Sequence, residues 1–129
     1  GVIEHLPDPV SAIKKVSRLL KKGGYFLVAA TPNVDSFCAG LYREKWNQFH
    51  PIRHIFYFSV KTISRLCLEQ GLELAARDLP YLETPYADVD KDHQEVLRAI
   101  QLNQNNQRVF MKGSRAFWGN MMNLVFKKI

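Results

Sequence analysis

A chain of 129 residues is one domain or part of one, and a content of 47% hydrophobic and 23% charged residues excludes intrinsic disorder. Its apolar runs, Tyr25 to Ala30 and Leu124 to Phe126, fall far short of the ~20 residues of a transmembrane segment, and no signal-peptide pattern is present. The net charge of +6 is spread along the chain, with a solvated cluster on the first helix (Lys14, Lys15, Arg18, Lys21, Lys22) and Lys127 and Lys128 at the end, and with no interleaved aromatic residues to stack bases, which argues against a nucleic-acid surface. Cys38 and Cys67 lack Cys-x-x-Cys spacing and are expected as buried free thiols in a reducing compartment, hence a cytoplasmic protein.

Gly1 to Ile3 reads as the stub of a strand. Asp8 then caps a helix over residues 9 to 21, with Pro9 in the first turn, where a missing N–H is tolerated. Val10, Ile13, Val16 and Leu20 form its apolar stripe, Leu19 widens it, and Lys14, Lys15, Ser17 and Arg18 face water. Gly23-Gly24 ends the helix. Tyr25 to Thr31 is apolar without alternation, as a strand covered on both faces requires, and parallel sheets provide that setting. Pro32 is expected to stop the ladder.

Residues 33 to 58 are long, aromatic and aperiodic, which predicts a functional lid with a short helix. Ser59 caps a helix that buries Ile63, Leu66 and Cys67 and closes at Gly71. Leu72 to Leu79 alternates as a strand near a sheet edge does. Residues 80 to 90 read as loop, and Asp90 as the cap of a helix to about Asn103 with Val96, Leu97 and Ile100 as its stripe. Phe110 to Trp118 reads as irregular. Met121 to Lys128 is a last strand with Met122, Leu124 and Phe126 on one face. A helix feeding a buried strand is half of a crossover unit, so the fold class is α/β.

Glu4-His5-Leu6-Pro7-Asp8-Pro9 combined with Leu19-Leu20-Lys21-Lys22-Gly23-Gly24 resembles the second half of class I S-adenosylmethionine-dependent methyltransferases. Trp46, Pro51, His54 and Phe58-Ser59 resemble the Trp-x4-Pro-x2-His-x3-Phe-Ser stretch of one branch. The resemblance implies a partial Rossmann-like methyltransferase sheet, cut from the order 3-2-1-4-5-7-6, holding a stub of strand four and then strands five, seven and six, with the seventh antiparallel. Residues 1 to 129 are then the C-terminal portion of one methyltransferase domain, with lid segments at about 33–58 and 80–118. The glycine-rich turn that grips the cofactor, and the acidic residue for its ribose, are absent from the sequence.

His5 follows a strand end, where open α/β sheets bind ligands, and its imidazole either takes a proton from an attacking oxygen or nitrogen or locks the loop by hydrogen bonds. The resemblance implies that Glu4, His5 and Leu6 border the cofactor. His5 and His54 are the candidate catalytic residues, and Thr31, Asn33, Trp46, His54 and Phe58 the candidate substrate-binding residues. How often large aromatics are buried favours the plainer reading of Trp46 and Phe58 as core and His54 as a hydrogen-bonded anchor. Glu4-His5 is similar to part of the metal site of small-RNA 2′-O-methyltransferases, but that pattern's first carboxylate falls at Gly1, and hard divalent ions need several oxygen ligands, for which one glutamate plus histidines is a thin set. No metal is expected.

The implied function is methyl transfer from S-adenosylmethionine to O, N or C of a small or medium-sized acceptor, with this chain supplying the substrate side of the cleft and inactive by itself. The alternatives are a non-catalytic remnant that pairs with another subunit, or with its own copy, through an exposed sheet edge, and a fragment of an RNA methyltransferase, for which retention on RNA would fall with salt.

Overall fold

The computed structural model describes residues 1–129. α1 (Pro9–Leu19) opens on Asp8, whose carboxylate accepts the Ser11 N–H at 2.9 Å. β1 (Tyr25–Pro32), α2 (Phe37–Tyr42), α3 (Val60–Leu68), β2 (Leu72–Asp78), α4 (Val89–Gln104) and β3 (Met121–Lys128) follow in chain order. Ser59 and Thr62 form a reciprocal capping box at the start of α3. Gly71, at φ 72°, makes the left-handed turn between α3 and β2.

The sheet has the order β1-β3-β2, with β3 antiparallel to both neighbours. Its inward face joins Val28, Leu72, Met122, Leu124 and Phe126 to Ile13 of α1 and Ile63 and Cys67 of α3. A second core lies beside it, where Cys38 and Tyr42 of α2 meet Trp46, Val96 and Ala99 of α4, Met111 and Phe117. The mixed α/β architecture, the edge position of β2 and the central antiparallel last strand follow the sequence reading.

Several expectations are corrected. Residues 1–3 form no strand: Gly1 lies against the edge of β1, but Val2 turns to ψ −44° and Ile3–His5 is a 3-10 turn, leaving too few extended residues for a ladder. β1 is not covered on both faces, for α1 and α3 pack on the inner one and Tyr25 and Leu27 stay exposed on the other. Pro32 does not end the pairing, since it lies opposite Met121 and the Asn33 N–H donates to the Asn120 carbonyl at 2.8 Å. A proline at a strand end removes one donor and leaves its neighbour's free to bond.

Leu19, in the last residue of α1, rotates off the buried stripe and is 84% exposed. Ser17 is buried instead: its hydroxyl donates to the Gln70 carbonyl at 2.6 Å and accepts from Lys128 Nζ, pinning α1 to the end of α3 and the end of β3. The cap of α4 is Asp88, not Asp90. Asp88 accepts the Lys91 N–H, Asp90 sits in the first turn, and Ala99 takes the buried place expected for Leu97.

Candidate functional site

The site forms where β1 leaves the sheet. Between Val28 and Thr31 the register with β3 shifts, and Ala30 takes the left-handed region at φ 53° with its N–H held by Asn123 Oδ1 at 2.9 Å. A bulge of this kind re-aims the following side chain. Here that residue is Thr31, buried, whose hydroxyl donates to Glu4 Oε2 at 3.5 Å.

Glu4 and His5 belong to the 3-10 turn, and the segment around His54 is clamped to it. The Ile55 and Phe56 N–H groups both donate to the Glu4 carbonyl, at 2.8 and 3.2 Å, and His5 Nδ1 meets the Arg53 carbonyl at 2.6 Å. The Trp46-to-Ser59 stretch thus works as a bracket. Trp46 Nε1 anchors one end on Asn120 Oδ1 at 3.0 Å, and Phe58 buries the other beside the capping serine. Between them the His50 carbonyl accepts the N–H groups of Arg53 and His54 in a tight turn. His54 is buried, with Nδ1 at 2.9 Å from the Gln48 carbonyl.

A carbonyl only accepts, so the Nδ1 atoms of His5 and His54 both carry the proton and both Nε2 atoms keep a free lone pair. The two rings lie edge to face with centroids 4.9 Å apart, and His50 stands 5.5 Å from His54. Burial holds the His54 pKa below its usual 6.5, so its neutral, proton-accepting form prevails at neutral pH. His5 Nε2 lies 3.7 Å from Glu4 Oε1. The Glu4 side chain is 4% exposed, and the bond from Thr31 is its one hydrogen bond.

Of the residues singled out in the sequence, the structure brings Glu4, His5, Thr31 and His54 together. Leu6 is half-buried and lines an apolar groove of about 300 Å³ between α1 and β1. Asn33, Trp46 and Phe58 stand behind the cluster with their polar atoms engaged inside the protein. Asn33 Nδ2 donates to the Gly119 carbonyl and its Oδ1 accepts from Asp35, while Phe58 belongs to the sheet core and Trp46 to the second core. The rings around His54 are those of His5, His50 and Tyr57. Beside them a surface hollow of about 570 Å³ is lined by Phe49, His50, Pro51, Ile52 and Arg53.

Two residues have an organising role: Asn120, which the sequence placed in a packing stretch with Phe117, Trp118 and Gly119, and Asp92, which it did not single out. Asn120 is fully buried, and its Oδ1 accepts from both Ser36 Oγ and Trp46 Nε1. Asp92 is 2% exposed and accepts the Tyr81 hydroxyl and the Ser114 N–H, both at 2.7 Å, which fastens the segments on either side of α4. The one available signal was a helix-forming stretch with an acid at the buried spacing of Val96 and Ala99. Cys38 and Cys67 are free and buried, and burial pushes both thiols up to about 12, so neither is a nucleophile at neutral pH.

No helix is long and apolar enough to cross a membrane. No curated protein matches the chain. Residues 1–77, which contain Glu4, His5, Thr31 and His54, match the family described as a methyltransferase domain. With more than half its length matched, the chain belongs to the methyltransferase-domain family.

Proposed function

We propose that the chain is the C-terminal, substrate-side portion of an S-adenosylmethionine-dependent methyltransferase domain acting on O, N or C of a small or medium-sized acceptor. The observation that carries this reading is the pair of imidazoles at the carboxyl end of β1, each fixed in the tautomer that leaves Nε2 free. S-adenosylmethionine supplies the methyl group as a sulfonium. No strand-to-helix glycine turn occurs among these residues, so they do not by themselves make a complete cofactor site.

What these residues do is receive and orient the acceptor. His54, neutral and rigidly held, accepts the acceptor's proton at Nε2, with His5 as the more exposed alternative. Thr31 and Glu4 fix the floor of the site. Asn33, Trp46 and Phe58 support the bracket that delivers His54, and segments 33–58 and 80–118 act as the lid that selects the acceptor. The free edge of β1 and the groove above it are where the remaining strands of the domain would pair. The same edge favours a second reading, a non-catalytic module that pairs with another subunit.

Isothermal titration of S-adenosylhomocysteine, with light scattering, tests the division of labour. The 129-residue chain should give no heat, and a longer chain carrying the preceding strands should bind. Micromolar binding by the short chain as a dimer would overturn the proposed boundary. A longer chain that fails to bind would overturn the methyl-transfer reading.

A further inference from the structure

We propose that the hollow between α2 and the Trp46-to-Ser59 bracket binds a small aromatic carboxylate, with Arg43 as its anion anchor. The hollow measures about 330 Å³, the size of a small-molecule pocket. Val34, Trp46, Phe49 and Tyr57 wall it, Gly40 of α2 opens onto it, and Arg43 and Glu44 supply its charges.

Three features point to a ligand of that kind. First, the charges do not cancel. Both Glu44 carboxylate oxygens accept from Arg108 Nη1, at 3.1 and 2.9 Å, and the neighbouring Lys45 lies over the Phe110 ring at 4.9 Å. The exposed Arg43 guanidinium is left with no hydrogen bond or ion pair inside the protein. Second, Arg43 occupies a position that suits glycine better, at φ 52° and ψ −122° where α2 ends. Any residue with a Cβ is strained there, and such strain is characteristically kept where the side chain has a task. Third, Gly40 lies inside α2 at a negative φ, and a Cβ on it would meet nothing within 4 Å. Neither backbone nor packing calls for glycine, which weakens a helix relative to alanine. Its effect is to leave the hollow open.

The lining selects the ligand. Phe49 and Tyr57 stack with centroids 5.3 Å apart and 27° between their planes, and Phe49 is 41% exposed, so an aromatic surface is ready for a further ring. One planar guanidinium matches a single carboxylate through two parallel N–H bonds, and no second cation lines the hollow to hold a dianion. Tyr57 also lies edge to face with His54, centroids 6.1 Å apart, so the hollow and the histidine cluster share this ring. That the carboxylate is the methyl acceptor, anchored beside His54, rests on the methyltransferase reading; its binding does not.

The test is titration of the nitrogen-15-labelled chain with 2-naphthoate, followed by amide chemical shifts. Saturable shifts centred on Val34, Gly40, Arg43 and Tyr57 are expected, and the neutral 2-naphthamide should bind at least ~10-fold more weakly. Arg43→Gln should weaken naphthoate binding at least ~10-fold. Arg43→Gly should do the same while raising the melting temperature, which separates lost binding from lost folding. Lys45→Gln removes an equal charge next door, from a side chain engaged with Phe110, and should leave binding unchanged. Gly40→Leu should block the hollow without lowering the melting temperature. Absence of saturable shifts, shifts centred on the groove between α1 and β1, or equal weakening by Arg43→Gln and Lys45→Gln would overturn the proposal. None of these results involves S-adenosylhomocysteine, so failure of the carboxylate site and failure of the methyltransferase reading are separately visible.

Discussion

The sheet with α1 and α3 and the region around α2 and α4 are of similar extent but are held by different forces. In the first, two antiparallel ladders carry a continuous apolar face, and Met122, Leu124 and Phe126 are wholly inaccessible. In the second, no ladder exists. The short α2, the 16-residue α4 and two irregular segments converge on buried polar atoms, Asn120 for the Trp46 segment and Asp92 for the flanks of α4. Apolar burial is non-directional and tolerates small shifts, whereas a buried hydrogen-bond hub fixes distances and fails when one member is lost. The candidate site lies at the seam. Glu4 and Thr31 come from the sheet side, and His54 from a bracket rooted at Trp46 in the second region.

Truncating the first region should break both. Phe126→Ala removes a fully buried ring from the central strand and should cost about 3–5 kcal/mol, read as the shift in a denaturant unfolding midpoint. If both regions then unfold together they form one cooperative unit; survival of the α4 helical signal would show that they separate. A smaller loss should follow Asp92→Ala, about 1–3 kcal/mol, because the Ser114 N–H and the Tyr81 hydroxyl are left without their acceptor. Hydrogen exchange should then speed up at Ser114 and leave the β3 amides protected. Equal acceleration in the sheet would erase the distinction between the regions.

The least effect should come from the seam. Burial lowers the His54 pKa, the nearby His5 and His50 add to that, and the Gln48 hydrogen bond and the Glu4 charge oppose it. A base depressed in the folded state contributes stability that is complete above its ordinary value of 6.5 and is lost as pH falls through its folded value, because the unfolded chain takes up the proton first. Melting temperature should therefore decline from about pH 7 to pH 5, and His54→Gln should flatten that slope. An unchanged slope in the variant would place the pH dependence elsewhere.

Where physics is local, the sequence was legible. Asp8-Pro9, Ser59 and the alternation of Met122, Leu124 and Phe126 declare caps and a face within a few residues, and all are seen. Errors arose where the environment is set at long range. Ser17 looks like a solvent-facing helix residue until Gln70 and Lys128 arrive beside it. Tyr25 to Thr31 looks doubly covered because apolarity does not say which neighbours are present. The candidate site divides in the same way. His5 was singled out from an expected place after a strand end, which is a 3-10 turn instead, and its approach to His54 depends on main-chain groups of Arg53, Ile55 and Phe56 that no spacing rule encodes. Gly1, passed over as unable to ligate, has a steric role instead: a Cβ there would collide with the Glu4 carboxylate.

The order β1-β3-β2 also bears on how the molecule is made. β1 and β2 share no hydrogen bonds, and each finds its partner in Met121–Lys128. At translation speeds of ~5–20 residues per second, roughly 5–20 s pass between the synthesis of β1 and that of β3. Throughout that interval the edge of Tyr25–Pro32 that β3 later covers stays open on an apolar strand. The nascent chain is therefore a natural client for chaperones that shield such segments, and its yield in cells should respond to them more than the stability of the finished fold would indicate.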